Sequence, residues 1–348
     1  MPPPAVVSRT RTAPARRGRR ARTSGLLALL AGVALAVCLS LALGAEDLSP
    51  AAVWHALVSP DGGDPTAIVR ELRLPRTVLG VLVGLALGVA GALMQGHTRN
   101  PLADPGLLGI SAGASFAVVV GISFFGVGAF GGHIWFAFGG ALLASVAVLG
   151  VAARPQGGPS PVTITLAGFA LSALLAAFTS AILLSDKASL NQFRFWVVGS
   201  LSGRDLGIAA QVAPFIAVGL VLALANAPAL NALGLGEDVA RALGRNVLAA
   251  RVVGVLAVML LAGAATAACG PIGFLGLVVP HAARFLTGPD HRWLVPYSAL
   301  LGVIVLLAAD IAGRLLARPS ELQTGIVLAV LGAPLFIVLV RRIRLVRL

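Results

Sequence analysis

Ten predominantly apolar stretches of 17 to 24 residues, broken by glycine, proline and charge, run through this sequence at 25–44, 75–95, 106–125, 132–152, 161–184, 207–225, 250–269, 271–287, 295–317 and 324–340. A helix crossing a bilayer needs about 20 such residues, and helices and closed barrels alone satisfy every backbone polar group away from water. The pattern predicts an all-α polytopic membrane protein of about ten spans. With 58% of 348 residues hydrophobic and 11% charged, no stretch remains to fold as a water-soluble catalytic domain. Any chemistry has to sit in the membrane or on a partner.

Charge sets the orientation. Seven arginines lie between Arg9 and Arg22, and Arg341, Arg342, Arg344 and Arg347 follow the last apolar run. Arginines flanking apolar spans mark the cytoplasmic side, so both termini are expected there and the number of spans is even. The region Val252 to Leu286 can be read as one over-long helix or as two helices broken at Cys269-Gly270-Pro271, and parity favours two. The cytoplasmic segments then carry 18 basic and 4 acidic residues, against 8 basic and 9 acidic outside. A nucleic-acid binder gathers such an excess on one solvated face; here it lies mostly at the chain ends, and no nucleic-acid partner is expected. Residues 1–24 read as a disordered Arg-rich cytoplasmic tail, and 25–348 as a ten-span membrane domain with a cytoplasmic loop at 226–250. The run at 25–44 is too long for a signal-peptide core and reads as a retained span. Lys187 is the one lysine among 26 basic residues, a usage typical of a GC-rich bacterial genome. The expected location is a bacterial cytoplasmic membrane. Cys38 and Cys269 both fall in apolar segments and read as buried structural thiols, with neither a disulfide nor a zinc site.

Arg76 to Gly109 and Arg251 to Gly276 form a faint repeat. Each runs from an arginine through a Gly/Ala-rich helix to a break (Asn100-Pro101 with Pro105-Gly106; Gly270-Pro271 with Gly273) and then to Leu-Leu-Gly or Phe-Leu-Gly. Ten spans make the copies inverted, and interrupted segments in inverted halves point to a transport pathway between them. Shared small-residue composition gives the same match. Gly109-Ile110-Ser111-Ala112-Gly113 fits the G-x-S-x-G pattern of serine hydrolases, with His281 as a candidate base; the competing reading makes Ser111 one more small residue on a packed helix. Asp310 is the only acid well inside a span, and Arg314 at i+4 is its natural partner, which leaves little for a proton- or sodium-coupled transporter. No P-loop is present, so ATP-driven transport requires a separate ATPase subunit. Within 226–250, residues 233–244 read as a short capped helix. Glu237 and Asp238 occupy its first turn, Ala240 and Leu243 share one face, Arg241 follows them, and Gly244 closes it as a C-cap. Such a helix suits docking into a partner's groove.

Leu72-Arg73-Leu74-Pro75-Arg76, Gly91-Ala92-Leu93-Met94-Gln95, Asn100-Pro101-Leu102-Ala103-Asp104-Pro105-Gly106, Gly270-Pro271-Ile272-Gly273-Phe274-Leu275-Gly276 and Gly288-Pro289-Asp290-His291-Arg292 resemble the signature blocks of the FecCD-type permeases, the membrane subunits of ABC importers for ferric siderophores, haem and cobalamin. The match runs in order through about residues 45–343. The resemblance implies a permease that pairs with itself or a close paralogue, two ATPase subunits that hold ATP and magnesium, an extracytoplasmic binding protein, and no cofactor on this chain. It gives Glu237, Ala240, Leu243 and Gly244 the role of ATPase coupling and Arg73, Arg76 and Arg314 that of binding-protein docking. A ferric siderophore is the first expectation for cargo. An ion-coupled transporter and an intramembrane hydrolase are the alternatives.

Overall fold

The computed structural model describes residues 18–59, 62–127, 130–152 and 161–343, all in helices and short connections without a strand among them. The helices are α1 (Arg19–Ala42), α2 (Pro50–Val58), α3 (Asp64–Ala67), α4 (Leu74–Thr98), α5 (Ile110–Phe125), α6 (Phe130–Ala152), α7 (Pro161–Ser185), α8 (Lys187–Val197), α9 (Leu206–Gly234), α10 (Glu237–Ala242), α11 (Val247–Cys269), α12 (Leu275–Thr287), α13 (His291–Leu316) and α14 (Thr324–Ile343). A π-helical segment, Ile68–Arg73, joins α3 to α4, and a 3-10 turn, Pro105–Leu108, precedes α5. Polar caps open the helices that follow loops. Asp186, Asp205, Asn246 and Asp290 accept N–H bonds of 2.8 to 3.1 Å in the first turns of α8, α9, α11 and α13, satisfying donors that have no partner within the helix.

Each of the ten apolar stretches contains one of these helices. Among the described residues seven helices are long and apolar enough to cross a membrane, and Ile110–Phe125, Leu275–Thr287 and Thr324–Val338 are shorter apolar helices. The region Val252 to Leu286 divides as parity requires, into α11 and α12, joined by a non-helical stretch at 270–274. Several boundaries differ from the sequence reading. The stretches 106–125 and 271–287 are not continuous helices, because left-handed backbone at Gly109 (φ 73°) and at Gly270 and Phe274 (φ 77° and 65°) ends the regular bonding. α9 continues to Gly234 and shortens the loop expected at 226–250, since Asn226, Ala227, Leu230 and Leu233 bury one face of its extension. Arg19 to Ser24, assigned to the tail, form the first turns of α1. Residues 1–17, which hold the rest of that tail, lie outside the described residues, as do Arg154, Arg344 and Arg347. Cys269 is buried, but Cys38 is exposed on the outer face of α1. α2 and the amphipathic α8 have no counterpart among the predicted spans.

α4 and α11 form the centre of the bundle. Of their most apolar windows 78% and 72% are buried, against 11% for α1 and α7. The central place of α4 follows from its small residues, which let helix backbones approach where lipid offers little hydrophobic drive for association. A Cβ on Gly84 would lie 2.6 Å from the Val303 Cα of α13, and one on Gly91 would lie 2.0 Å from the Gly276 carbonyl oxygen at the start of α12. Gln95, one turn further on, donates at 3.2 Å to the Leu277 carbonyl. The second copy of the faint repeat therefore has its break against the helix of the first copy. Asp104 and Pro105 close the contact, both within about 3.3 Å of where a Gly276 Cβ would stand.

Gly91→Ala is expected to lower stability by about 1–3 kcal/mol through overpacking, read as a fall in the thermal unfolding midpoint of the detergent-solubilised protein. Gly139→Ala, where an added Cβ meets nothing within 4 Å, is expected to leave the midpoint unchanged or slightly raised.

Candidate functional site

Polar side chains collect at the two ends of the bundle. At the end formed by the C-termini of α1 and α13 and the start of α4, Asp310 is fully buried. The Arg76 Nε donates to both its carboxylate oxygens at 2.9 Å, the Arg76 Nη2 lies 2.8 Å from Oδ1, the Arg314 Nη2 lies 3.1 Å from Oδ2, and the Thr324 hydroxyl donates at 2.8 Å. The i,i+4 pair read from the sequence is present, and Arg76 and Thr324 enlarge it. Arg76 also reaches Glu321 at 2.6 Å.

Three arginines cap the end of α1. The Arg314 Nη1 donates to the Ser40 and Leu43 carbonyls at 3.0 and 2.8 Å, Arg73 donates to Leu41, Ala42 and Glu46 at 2.6 to 2.9 Å, and Arg318 donates to Gly44 at 2.6 Å. These are carbonyls that a helix C-terminus leaves unsatisfied, at the negative end of its dipole. Arg73, Arg76 and Arg314 are thus only 4%, 6% and 2% exposed. The outward-facing side chains that a direct docking role calls for are not found, because α1 and Asp310 occupy their donors.

The opposite end holds the predicted coupling segment. α10 is capped by a paired reversal in which Arg245 N–H donates to Ala240 and Gly244 N–H to Arg241, both at 2.9 Å, and Gly244 takes the left-handed conformation this closure needs (φ 73°). Ala240 is fully buried against Leu233, Val247 and Ala250. Leu243 is 61% exposed, so it does not share a face with Ala240; it joins exposed Leu235 and Val239 in an outward apolar patch. Glu237 is ion-paired to Arg251 on α11 and to Arg241, and Asp238 pairs with Arg241 at 3.1 Å. The α10 hairpin is thereby attached to α11.

Sequence reasoning missed a clamp beside it. Asn226 on α9 bonds His97 of α4 at 3.0 Å and the Ala250 carbonyl of α11 at 3.1 Å. Asn231 accepts from the His291 N–H at 2.8 Å and donates to Asp290 at 2.7 Å. Arg22 of α1 lies 3.7 Å from Asp290, and the Tyr297 hydroxyl donates to the Arg22 carbonyl at 2.6 Å. Five helix ends meet through two asparagines. The available signal was a pair of amides five residues apart in an otherwise apolar run.

Of the predicted breaks, Asn100 and Pro101 fall in the turn after α4, Pro105 and Gly106 in the 3-10 turn, and Gly270, Pro271 and Gly273 in the non-helical stretch between α11 and α12. Asp104 caps the 3-10 turn by accepting from Gly106 N–H at 2.8 Å. Burial raises its carboxyl above the ordinary value, against the lowering effect of that bond. Ser111 lies in the first turn of α5 and not on a strand-to-helix elbow, and no hydrogen bond joins it to His281 among the described residues. Among the described residues no three His, Cys, Asp or Glu side chains gather as a metal site.

The model of the FecCD transport family matches residues 30–342. The chain is 47% identical to the ferric enterobactin transport system permease protein of Escherichia coli over 91% of this chain and 94% of that one. It is 39% identical to the hemin transport system permease protein of Yersinia pestis, over 91% and 96%. Among solved structures it is similar to a metal-chelate type ABC transporter in an inward-facing conformation, with a TM-score of 0.81 at 27% identity, covering 92% of this chain and 99% of the other.

Asp310→Ala leaves two buried guanidinium groups without their carboxylate. It is expected to cost about 3–5 kcal/mol, measured as loss of folded, monodisperse protein on extraction. Ser111→Ala is expected to leave transport unchanged.

Proposed function

Because the chain belongs to the FecCD transport family, we propose that it is the membrane-spanning permease subunit of an ABC importer that carries an iron chelate, a ferric siderophore first, into the cytoplasm. The bundle end bearing α10 faces the cytoplasm in this reading, both termini lie there, and the ten apolar helices all traverse the membrane. Two copies pair around the pathway, two ATPase subunits dock on the α10 hairpins, and a binding protein delivers the chelate to the opposite end. ATP and magnesium are held by the ATPase subunits.

The observation that carries this reading is the α10 hairpin. It presents Leu235, Val239 and Leu243 outward while Ala240 and Glu237 fix it to α9 and α11. A rigid, short element with an exposed apolar patch transmits a push from a partner groove to the helices it is bonded to. Closure of the ATPase pair then moves α11 through Glu237–Arg251. The Asn226 and Asn231 bonds carry the same displacement to α4 and α13. At the outer end Arg73, Arg76 and Arg314 shape the docking surface from beneath, by fixing the end of α1 and the α13–α14 connection. An ion-coupled carrier needs a titratable group free to exchange its ion inside the membrane. Asp310 instead has two arginines and Thr324 on it, which favours ATP drive.

The test is uptake of iron-55 loaded siderophore in a strain lacking the gene, restored by the gene. Uptake that survives ATP depletion and collapses with an uncoupler would overturn the reading. Leu243→Asp is expected to remove a contact worth about 2 kcal/mol and so weaken ATPase association more than about tenfold, measured by co-purification and by loss of uptake with the permease still in the membrane.

A further inference from the structure

A cavity of about 300 Å³ lies between α4, α6, α7 and α11, toward the end of the bundle that carries α10. Met94 of α4, Leu108 of the 3-10 turn and Met259 of α11 form its buried inner wall. Val146 of α6 and Leu248, Val252 and Leu256 of α11 stand exposed at its mouth, and all four are aliphatic. The cavity therefore opens on the outside of the bundle, between helices long and apolar enough to cross a membrane. An aliphatic mouth on such helices faces hydrocarbon.

Its depth fits one leaflet. Leu248 and Met259, at the two ends of its α11 wall, are separated by about 16 Å of helix at 1.5 Å per residue, close to half of the roughly 30 Å hydrocarbon thickness of a bilayer. The polar groups of the lining are few and already engaged: His97 is bonded to Asn226, Thr98 donates to the Met94 carbonyl, and Arg251 is paired with Glu237. A ferric chelate would leave its polar atoms without partners against such walls. A hydrocarbon chain needs none, and by filling the space it supplies contacts that an empty void forfeits.

Charge is confined to one end. His97, Thr98 and Arg251 mark where α4 closes and α11 opens. Arg99, just after α4, and Arg245, just before α11, are exposed and make no side-chain hydrogen bond or ion pair among the described residues. Two exposed guanidinium groups beside the head of an apolar cleft match a lipid phosphate. We propose that the cavity holds one acyl chain of an anionic phospholipid from the leaflet at the α10 end, with its phosphate at Arg99 and Arg245. Occupancy depends on the membrane location alone; the permease reading makes that leaflet the cytoplasmic one. The chain packs between α4, α6 and α11 beside the Glu237–Arg251 attachment.

The experiment uses the permease–ATPase complex in nanodiscs whose phosphatidylglycerol carries a mid-chain diazirine, with labelled peptides quantified after illumination. Labelling of 248–259 is expected to exceed that of 218–224 on α9, where Val218, Val221 and Leu224 are equally exposed, by about fivefold or more. Val255→Phe, which fills the cavity, is expected to bring 248–259 down to the α9 level and leave α9 labelling unchanged. Leu248→Trp, at the exposed mouth, is the second variant and is expected to act the same way. Photoreactive phosphatidylcholine is expected to label 248–259 about fivefold less than phosphatidylglycerol, a preference of the size one guanidinium near a phosphate supplies, and Arg99→Gln with Arg245→Gln to abolish the difference. Equal labelling of the two faces, an excess that survives both cavity variants, or equal labelling by the two lipids would each overturn the proposal. Displacement of the label by a ferric siderophore would overturn it by placing the cavity on the path of the cargo. A disulfide between two copies carrying Leu248→Cys in a Cys38→Ser background would overturn it by placing a second copy at the mouth.

Discussion

The contact between Asp310 and its two arginines fixes how the helices of this bundle stand against one another. A buried ion pair is weak evidence of net stability, since desolvation offsets much of the attraction. Its effect is register. Arg76 on α4 meets Asp310 on α13 at an axial offset that also sets Gly84 beneath Val303, where a side chain would collide. Thr324 attaches α14 to the same carboxylate, and Arg314 reaches on to α1. At the other end the Asn231–His291 bonds repeat the constraint between α9 and α13. Four helices are thus positioned by one carboxylate before the apolar surfaces between them add their area.

Hydropathy made the ten apolar helices legible, because a bilayer imposes a length and an apolar character that no other environment asks of twenty successive residues. Charge parity resolved the one ambiguous region at Gly270. Arg73 and Arg76 were also legible, as the arginines of the Leu72-Arg73-Leu74-Pro75-Arg76 block. What holds Arg73 was not, since its acceptors are the backbone carbonyls of Leu41, Ala42 and Glu46, and a carbonyl has no residue code. The same limit hid α8 and the Asn226 clamp. A short amphipathic helix lacks the length that marks a span, and a lone amide in a helix looks alike whether it bridges two partners or none. Leu243 and Ala240 were assigned one face by helical spacing, yet α10 ends at Ala242, so the spacing ceases to apply one residue too soon.

α11 links the two ends physically. Its first turns carry Arg251, bonded to the α10 hairpin, and its last carbonyl, at Cys269, accepts from the N–H of Ser200 at 2.8 Å, at the opposite end of the bundle. Between them lie 23 helical residues, about 35 Å at 1.5 Å each. The first half of α11 borders the cavity of about 300 Å³, with His97 and Thr98 of α4, and its second half is buried in the bundle. The left-handed turn at Gly270 ends the helix and lets α12 follow a different path.

The attachments of α1 have a consequence for how the protein is made. Its flanks are almost bare, and its distant anchors are Tyr297 at one end and Arg314 at the other, 275 and 274 residues further along the chain. A nearer anchor, Arg73, holds the Leu41 and Ala42 carbonyls from 32 and 31 residues away. The C-terminal end of α1 can therefore be caught as soon as the segment before α4 is made, whereas its other end waits for α13. A chain truncated before α13 would keep α1 tethered at that end through Arg73 and without the Tyr297 bond at the opposite end.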